Sequence, residues 1–357
     1  MDSKNVNLMA PFTETGYGVV GRNIMCSLHE LGWDIKLYDI ANATSFLSQK
    51  EARLYETFSN NGKFFYKDTP CVRIWHQHVL DVWAGNGEKI GWPIFELDIF
   101  NELEKHHLSF PDKIAVCSKW AQGIIKKEIG RDSYVVPLGV DSQVFHPATR
   151  EHYDKTATPF VFLNVGKWEV RKGHDILPDI FNRAFRPDDN VRLRVLASEA
   201  WSTEQEREDW RHFYKDTKMG NYIHLLNGVP SQTEVALEMN AADAGIFPTR
   251  AEGWNLELLE MMACGKPVIT TAYGAHLEFC NESNAHLIYP EDIEPAADGK
   301  FFHGQGNWAR LDDKEIDEFA EKMRAVYENG VLFNKKGVET AKEFSWKNSV
   351  KTLTSIF

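Results

Sequence analysis

The sequence is poor in cysteine and shows no pattern among the few it has. Cys26, Cys71, Cys117, Cys264 and Cys280 are scattered, and no two form a CxxC pair. A disulfide framework or a structural zinc site is therefore not expected, and the thiols read as buried groups in a reducing compartment. No apolar run approaches the ~20 residues of a membrane span. The start, MDSKNVNLMAPF, has no basic region followed by an apolar one, so no signal peptide is read. A cytoplasmic protein without stable membrane insertion is expected. Positive charge is in deficit, with 40 Lys+Arg against 52 Asp+Glu for a net charge of −12. Residues 1–155 carry 17 basic against 20 acidic side chains, and residues 156–357 carry 23 against 32. So acidic a chain is a poor general binder of nucleic acid, although the near-neutral first half leaves room for a local basic surface. No solenoid-period repeat and no low-complexity tract is present.

What is present suits two ordinary domains: 357 residues, 43% of them hydrophobic and 26% charged. Short apolar strands alternate with amphipathic helices throughout. VNLMA, WDIKLYDI, CVRIW, KIGWPIF, KIAVCS and YVVPL read as strands of a first series. FVFLNVG, VRLRVLA, YIHLLNG, AGIFPT and PVITTA form a second. Helices fall between them, and the chain ends in helices, DDKEIDEFAEKMRAVYENG and SWKNSVKTLTSIF. Such alternation predicts parallel sheets covered on both faces. The polar stretch 146–159, with proline near both ends, reads as a linker. The expectation is an α/β protein with a first domain over 1–150, a second over 151–340 and a terminal helix over 341–357. Ligands of doubly wound sheets bind at the carboxyl ends of the strands, here in a cleft between the domains.

The stretch TRAEGWNLELLEMMACGKPV (249–268) places two acids, Glu252 and Glu260, eight positions apart around a strand-to-helix handover. Gly253 allows close approach to the backbone. The amides near Asn255, Leu256 and Glu257 would form a helix start that favours an anion such as phosphate. Eight residues of helix span roughly 12 Å at ~1.5 Å per residue. That is about the separation of two sugars joined by a diphosphate, and carboxylates accept well from paired hydroxyls. By spacing alone the plainer reading is an acidic first turn with Glu260 facing solvent. A second stretch, LNVGKWEVRKGHD (163–175), puts Lys167 and Lys172 at the mouth of a strand, where cations suit a diphosphate leaving group.

As a whole pattern, EGWNLELLEMMACGKPVI resembles the E-x7-E signature of the large group 1 family of retaining glycosyltransferases with the GT-B fold. Met261 departs from the usual alanine. GKWEVRKG is similar to that family's G-R-x-x-x-x-K-G, with Lys167 at the arginine position, which keeps the charge but loses the bidentate fork. The resemblance extends to ETGYGVVGRN, similar to the G-x-G turn after the first strand, and to WHQH (75–78), similar to H-x-H. NGVPS (227–231), PLGVDSQVFHP (137–147) and the terminal FSWKNSVKTL match further family segments. It implies two Rossmann-like domains facing a cleft, with the last helix crossing back to the first domain. Donor-binding roles then fall to Gly16, Gly18, Asn227, Gly228, Gly253, Trp254, Asn255, Leu256, Glu257 and Glu260. Lys167 and Lys172 hold the donor phosphates, Glu252 meets the sugar, and His78 contacts it near the reacting carbon, with His76 as the alternative. In GWPIFELDIF (91–100), Glu96 and Asp98 end an apolar strand, and Glu96 is a further acceptor-side candidate, although a strand end with surface acids explains it more simply.

The resemblance implies transfer of a hexosyl or pentosyl group from a UDP- or GDP-sugar with retention, by a front-face route in which the departing phosphate takes the acceptor proton. No cofactor or metal is expected, since no DxD-like motif stands at a strand end. Two other readings stay open: a GT-B sugar-nucleotide epimerase, which does not usually carry the E-x7-E segment, and a catalytically silent nucleotide-sugar-binding protein. The acceptor is open among a glycan, a small molecule, a protein and a modified nucleic-acid base. KWAQGIIKKEIGR (119–131) is the one basic-aromatic stretch suited to a membrane surface, and it reads more simply as a solvated helix face.

Overall fold

The structure is a computed structural model that describes residues 4–41, 47–60, 65–148, 158–198, 202–229, 231–330 and 333–357. The chain divides into two compact units, Met1–Asp141 with Glu343–Phe357, and Ser142–Lys342. Most of the stretch expected to link the domains, residues 149–157, lies outside the described residues.

The first unit runs β1 (Asn5–Ala10), α1 (Gly16–Glu30), β2 (Asp34–Asp39), α2 (Gln49–Asn60), β3 (Cys71–Trp75), β4 (Lys89–Pro93), α3 (Glu102–Leu108), β5 (Lys113–Val116), α4 (Lys119–Ile129) and β6 (Tyr134–Val135). Its sheet has the order β2-β1-β3-β4-β5-β6, and every pairing is parallel. The helices start where side chains supply the missing acceptors: Asn101 and Glu104 make a capping box on α3, and Ser118 caps α4. α4 buries Ala121, Ile124 and Ile125 in the core and leaves its lysines outside, so KWAQGIIKKEIGR is an amphipathic helix that covers this sheet.

The second unit begins with β7 (Phe160–Gly166), then α5 (Leu177–Ala184), β8 (Val191–Ala197), α6 (Glu204–Lys215), β9 (Ile223–Leu226), α7 (Gln232–Ala241), β10 (Ala244–Phe247), α8 (Leu256–Ala263), β11 (Val268–Thr271) and β12 (His286–Ile288). A hairpin, β13 (Ile293–Ala297) and β14 (His303–Ala309), is followed by α9 (Asp313–Asn329) and α10 (Lys335–Glu343). The sheet order is β12-β11-β10-β7-β8-β9, again wholly parallel. The phenylalanines of β7 and the alternating Val191, Leu193 and Val195 of β8 pack against α5 and α9 in one core. The antiparallel hairpin was not anticipated from the sequence, because Pro295, Gly304 and Gly306 interrupt any alternation of apolar residues.

The last helix, α11 (Trp346–Thr354), belongs to the first unit. It buries Trp346, Val350 and Leu353 and packs on α1. A side chain on Gly139 would meet the Trp346 backbone nitrogen at 2.2 Å, so a glycine is needed where the returning chain crosses.

Candidate functional site

Strand order places the chemistry. In the second unit the order reverses between β7 and β10, as in the 3-2-1-4-5-6 dinucleotide-binding sheet, and such a reversal opens a crevice at the strand ends. The segments leaving β7 and β10 there are GKWEVRKG and TRAEGWN. Gly173 makes this meeting possible. Its φ is +78°, and a Cβ on it would lie 2.0 Å from the Pro248 carbonyl oxygen.

The two segments are joined by buried charge. A 3₁₀ turn, Val170–Lys172, folds Arg171 inward to 6% exposure. Arg171 donates to Glu169 at 2.7 and 3.0 Å, to the Ala251 carbonyl at 2.8 Å and to Glu252 Oε2 at 3.0 Å. Lys172 Nζ lies 2.8 Å from Glu252 Oε1 and 3.5 Å from Glu257 Oε2. Thr249 Oγ1 stands 2.9 Å from Glu252 Oε1. Burial alone would raise the Glu252 carboxyl, but Lys172 and Arg171 outweigh it and bring its pKa down to about 2. Burial likewise opposes ionisation of Glu169, and Arg171, Lys167 and Lys172 reverse the balance to hold it below the usual range. Lys172 is disfavoured by burial, yet Glu252 and Glu257 hold its pKa above the ordinary lysine value. Lys167, more exposed, approaches Glu169 at 3.7 Å.

Asn255 caps α8 from the left-handed region (φ 77°), its side chain accepting from the Leu258 amide. Its Nδ2 is buried with no hydrogen-bond partner among the described residues. Glu260 is only 5% exposed. The solvent-facing placement that spacing alone favoured is thus wrong, because α8 is buried on nearly every side, Leu256, Leu258, Leu259, Met261 and Met262 included. Trp254 packs its ring on Phe279, 5.0 Å between centroids. Gly253 is buried, and the following chain returns so that the Ala275 amide donates to the Glu252 carbonyl. Asn227 and Gly228 lie exposed beyond β9, Gly228 close to Ser198 beyond β8. Pro230 lies outside the described residues.

In the first unit the strand order reverses between β1 and β3. The segments there hold Gly16, Gly18, His76 and His78. Gly16 and Gly18 form the first turn of α1, where a loop was expected. A Cβ on Gly18 would fall 1.9 Å from the Thr13 carbonyl oxygen. The Tyr17 hydroxyl donates to the Ile94 carbonyl at 2.6 Å, which leaves it to accept from His76 Nδ1 at 2.8 Å. His76 and His78 stack at 5.0 Å with 15° between planes, and the intervening Gln77 turns inward to donate to Glu104 at 2.8 Å. Glu96 and Asp98 are half-buried beyond β4, which ends at Pro93.

Sequence reasoning passed over Arg171, Glu169 and Tyr17. A signal existed for the first two: they alternate in sign between the two singled-out lysines. Only the 3₁₀ turn shows that they point inward.

The whole chain has the fold of GT-B glycosyltransferases. Its structure is similar to sucrose-phosphate synthase from Thermosynechococcus elongatus, with a TM-score of 0.72 and 15% identity, covering 99% of this chain and 98% of that one. It is also similar to HepE of Anabaena, solved in complex with UDP-glucose, with a TM-score of 0.67, 13% identity and coverage of 99% and 98%. Residues 159–299 match the family described as Glycosyl transferases group 1, so the second unit carries a group 1 glycosyltransferase domain. Relatives include a D-inositol 3-phosphate glycosyltransferase of Pseudarthrobacter chlorophenolicus, 32% identical over 39% of this chain and 34% of that protein. D-rhamnosyltransferase WbpZ of Pseudomonas aeruginosa is 25% identical over 65% of this chain and 58% of its own length. The matches cover 34%, 45% and 47% of the first three such relatives.

Proposed function

We propose that the protein transfers a sugar from a nucleoside diphosphate sugar to an acceptor hydroxyl with retention of configuration. The observation that carries this is the buried Glu252–Lys172–Arg171 network at the strand-order reversal of a group 1 domain. Three cations, Lys167, Arg171 and Lys172, stand among three acids, Glu169, Glu252 and Glu257. Arg171 holds Glu252 by its other oxygen, so Lys172 can turn to a phosphate without leaving that carboxylate unpaired. The start of α8 would offer amides to the same anion, and Glu260 is proposed to accept from ribose hydroxyls.

In the step, the bond from the anomeric carbon to the phosphate oxygen breaks while the acceptor oxygen bonds to that carbon on the same face. The acceptor proton passes to the departing phosphate, and Lys172, Lys167 and the helix start stabilise the charge that develops there. The leaving-group charge is met by side chains, so the reaction is proposed to need no metal. The role of His78, with His76 as its alternative, rests on resemblance, and Glu96 is an acceptor-side candidate only from its place beyond a strand. The named activities of relatives leave the acceptor open, and a cytoplasmic setting is proposed. Among the described residues no helix is long and apolar enough to cross a membrane.

Incubation with UDP- and GDP-sugars, following release of the nucleoside diphosphate, tests the reading without an acceptor. Slow donor hydrolysis is expected, reduced by on the order of a hundredfold in Lys172→Ala. No hydrolysis of any donor would favour the silent-binding alternative, and interconversion of the sugar without release would favour the epimerase.

A further inference from the structure

The second unit has a recess beside the charge network. Its cavity is about 330 Å³, walled by Trp168, Trp210 and Phe301, with Glu206 and Asp298 among its polar groups. Three separate pieces of chain build it. Trp168 leaves β7, Trp210 stands on α6, and Phe301 sits at the tip of the β13–β14 hairpin.

Each wall is fixed in place. On α6, Glu206, Trp210 and Tyr214 follow at i, i+4 and i+8 and so share one face. Tyr214 is buried in the core and its hydroxyl is 2.7 Å from His174 Nδ1. Trp210 stacks on Trp168 at 5.7 Å and 19°. Glu206 reaches the rim, where Lys300 donates to it at 2.8 Å. At the hairpin tip, Asp298 Oδ1 accepts from the amides of Lys300, Phe301 and Phe302 at 2.8, 2.8 and 2.9 Å, which holds the Phe301 ring outward at 43% exposure. Trp168 and Trp210 have no hydrogen bond from their indole nitrogens to any described residue.

We propose that this recess is a carbohydrate-binding subsite, distinct from the donor site, that stacks one or two neutral sugar rings on Trp168, Trp210 and Phe301. Flat aromatic faces fit the C–H face of a pyranose. Carboxylates with spare lone pairs, and indole N–H groups that no described residue engages, suit its hydroxyls. The acids at the rim repel phosphate, since Lys300, the cation among them, is already paired with Glu206. The volume lies near the lower end of small-ligand pockets, about 300–1,000 Å³, which suits a mono- or disaccharide rather than a protein segment. Glu169 lines the recess and also anchors Arg171, so an occupant would lie against the charge network.

The test is saturation-transfer NMR on the intact protein saturated with UDP or GDP. The probes are methyl glucoside, methyl galactoside, methyl mannoside, maltose, cellobiose and lactose, with uridine and guanosine as a second arm. At least one sugar is expected to bind with ring-proton contacts. Trp210→Ala and Phe301→Ala should each weaken it about tenfold or more, with nucleoside diphosphate affinity unchanged. Phe301 is exposed, so its removal leaves the fold intact. Binding of none of the sugars, undiminished binding in both variants, or competition for the recess by nucleosides alone would overturn the proposal. Loss of nucleoside diphosphate binding with sugar binding retained would count against the donor-site reading instead.

Discussion

Lys172 Nζ lies 2.8 Å from Glu252 Oε1, while Arg171 holds the other oxygen of the same carboxylate at 3.0 Å. One acid from the segment that leaves β10 is thus shared by two cations from the segment that leaves β7. Arg171 is the structural partner, because it also binds Glu169 and the Ala251 carbonyl. Arg171→Ala should leave two buried carboxylates short of a partner and cost about 3–5 kcal/mol. Urea denaturation would measure it, and a midpoint equal to wild type would show that the network is not structural.

The same geometry fixes a pH dependence. The Glu252 carboxyl is held near 2 in the fold against an ordinary value of 4.5. Its folded pKa is depressed, so its contribution to stability is fully present above about 4.5 and is lost as pH falls toward 2. The size is on the order of 3 kcal/mol. His174 acts in the same direction at higher pH. Burial, aided by Lys172, holds its pKa near 3, so unfolding takes up a proton below the ordinary histidine value of 6.5. Urea midpoints at pH 7, 4.5 and 3 should fall in that order, and Glu252→Gln should flatten the lower part of the decline. An unchanged slope in Glu252→Gln would contradict this.

Gly173 is needed for two independent reasons, its φ of +78° and a Cβ position 2.0 Å from the Pro248 oxygen. Left-handed strain alone costs about 1–3 kcal/mol, and the clash adds to it. Gly173→Ala should therefore both destabilise the protein and suppress donor hydrolysis, since it separates Lys172 from Glu252. Thermal unfolding with the hydrolysis assay checks both, and normal values of each would mean that the two segments need not meet there.

Glu260 is buried on α8, and its proposed partners are ribose hydroxyls. Glu260→Ala should weaken nucleoside diphosphate binding while leaving free phosphate or pyrophosphate binding unchanged. Equal affinity of wild type and variant for the nucleotide, with the fold intact by circular dichroism, would remove Glu260 from the site.

Much of this was legible in the sequence, for physical reasons. β7 is a short apolar run, β8 alternates apolar residues with arginines, and strands and helices follow one another in turn, so a wound parallel sheet was readable. Lys167, Lys172, Glu252 and Glu260 stood out by spacing and by family pattern. What stayed hidden depends on direction in space. Arg171 and Glu169 look like solvated charges until a three-residue turn folds them inward. Glu260 looks exposed if α8 is assumed to have a wet face, yet the helix is buried almost throughout. The hairpin at 293–309 lacks strand patterning, since Pro295, Gly304 and Gly306 interrupt it, although Ala296, Trp308 and Ala309 are buried. Without it the Trp168–Trp210–Phe301 recess could not be seen.

Calorimetric titration of UDP and GDP into wild type and Lys172→Ala tests the central claim, that the segments leaving β7 and β10 form a diphosphate site. The account predicts that at least one of the two nucleotides binds wild type and binds Lys172→Ala about tenfold more weakly or worse. Failure of both nucleotides to bind the folded wild-type protein, or equal affinity of wild type and Lys172→Ala, would contradict it.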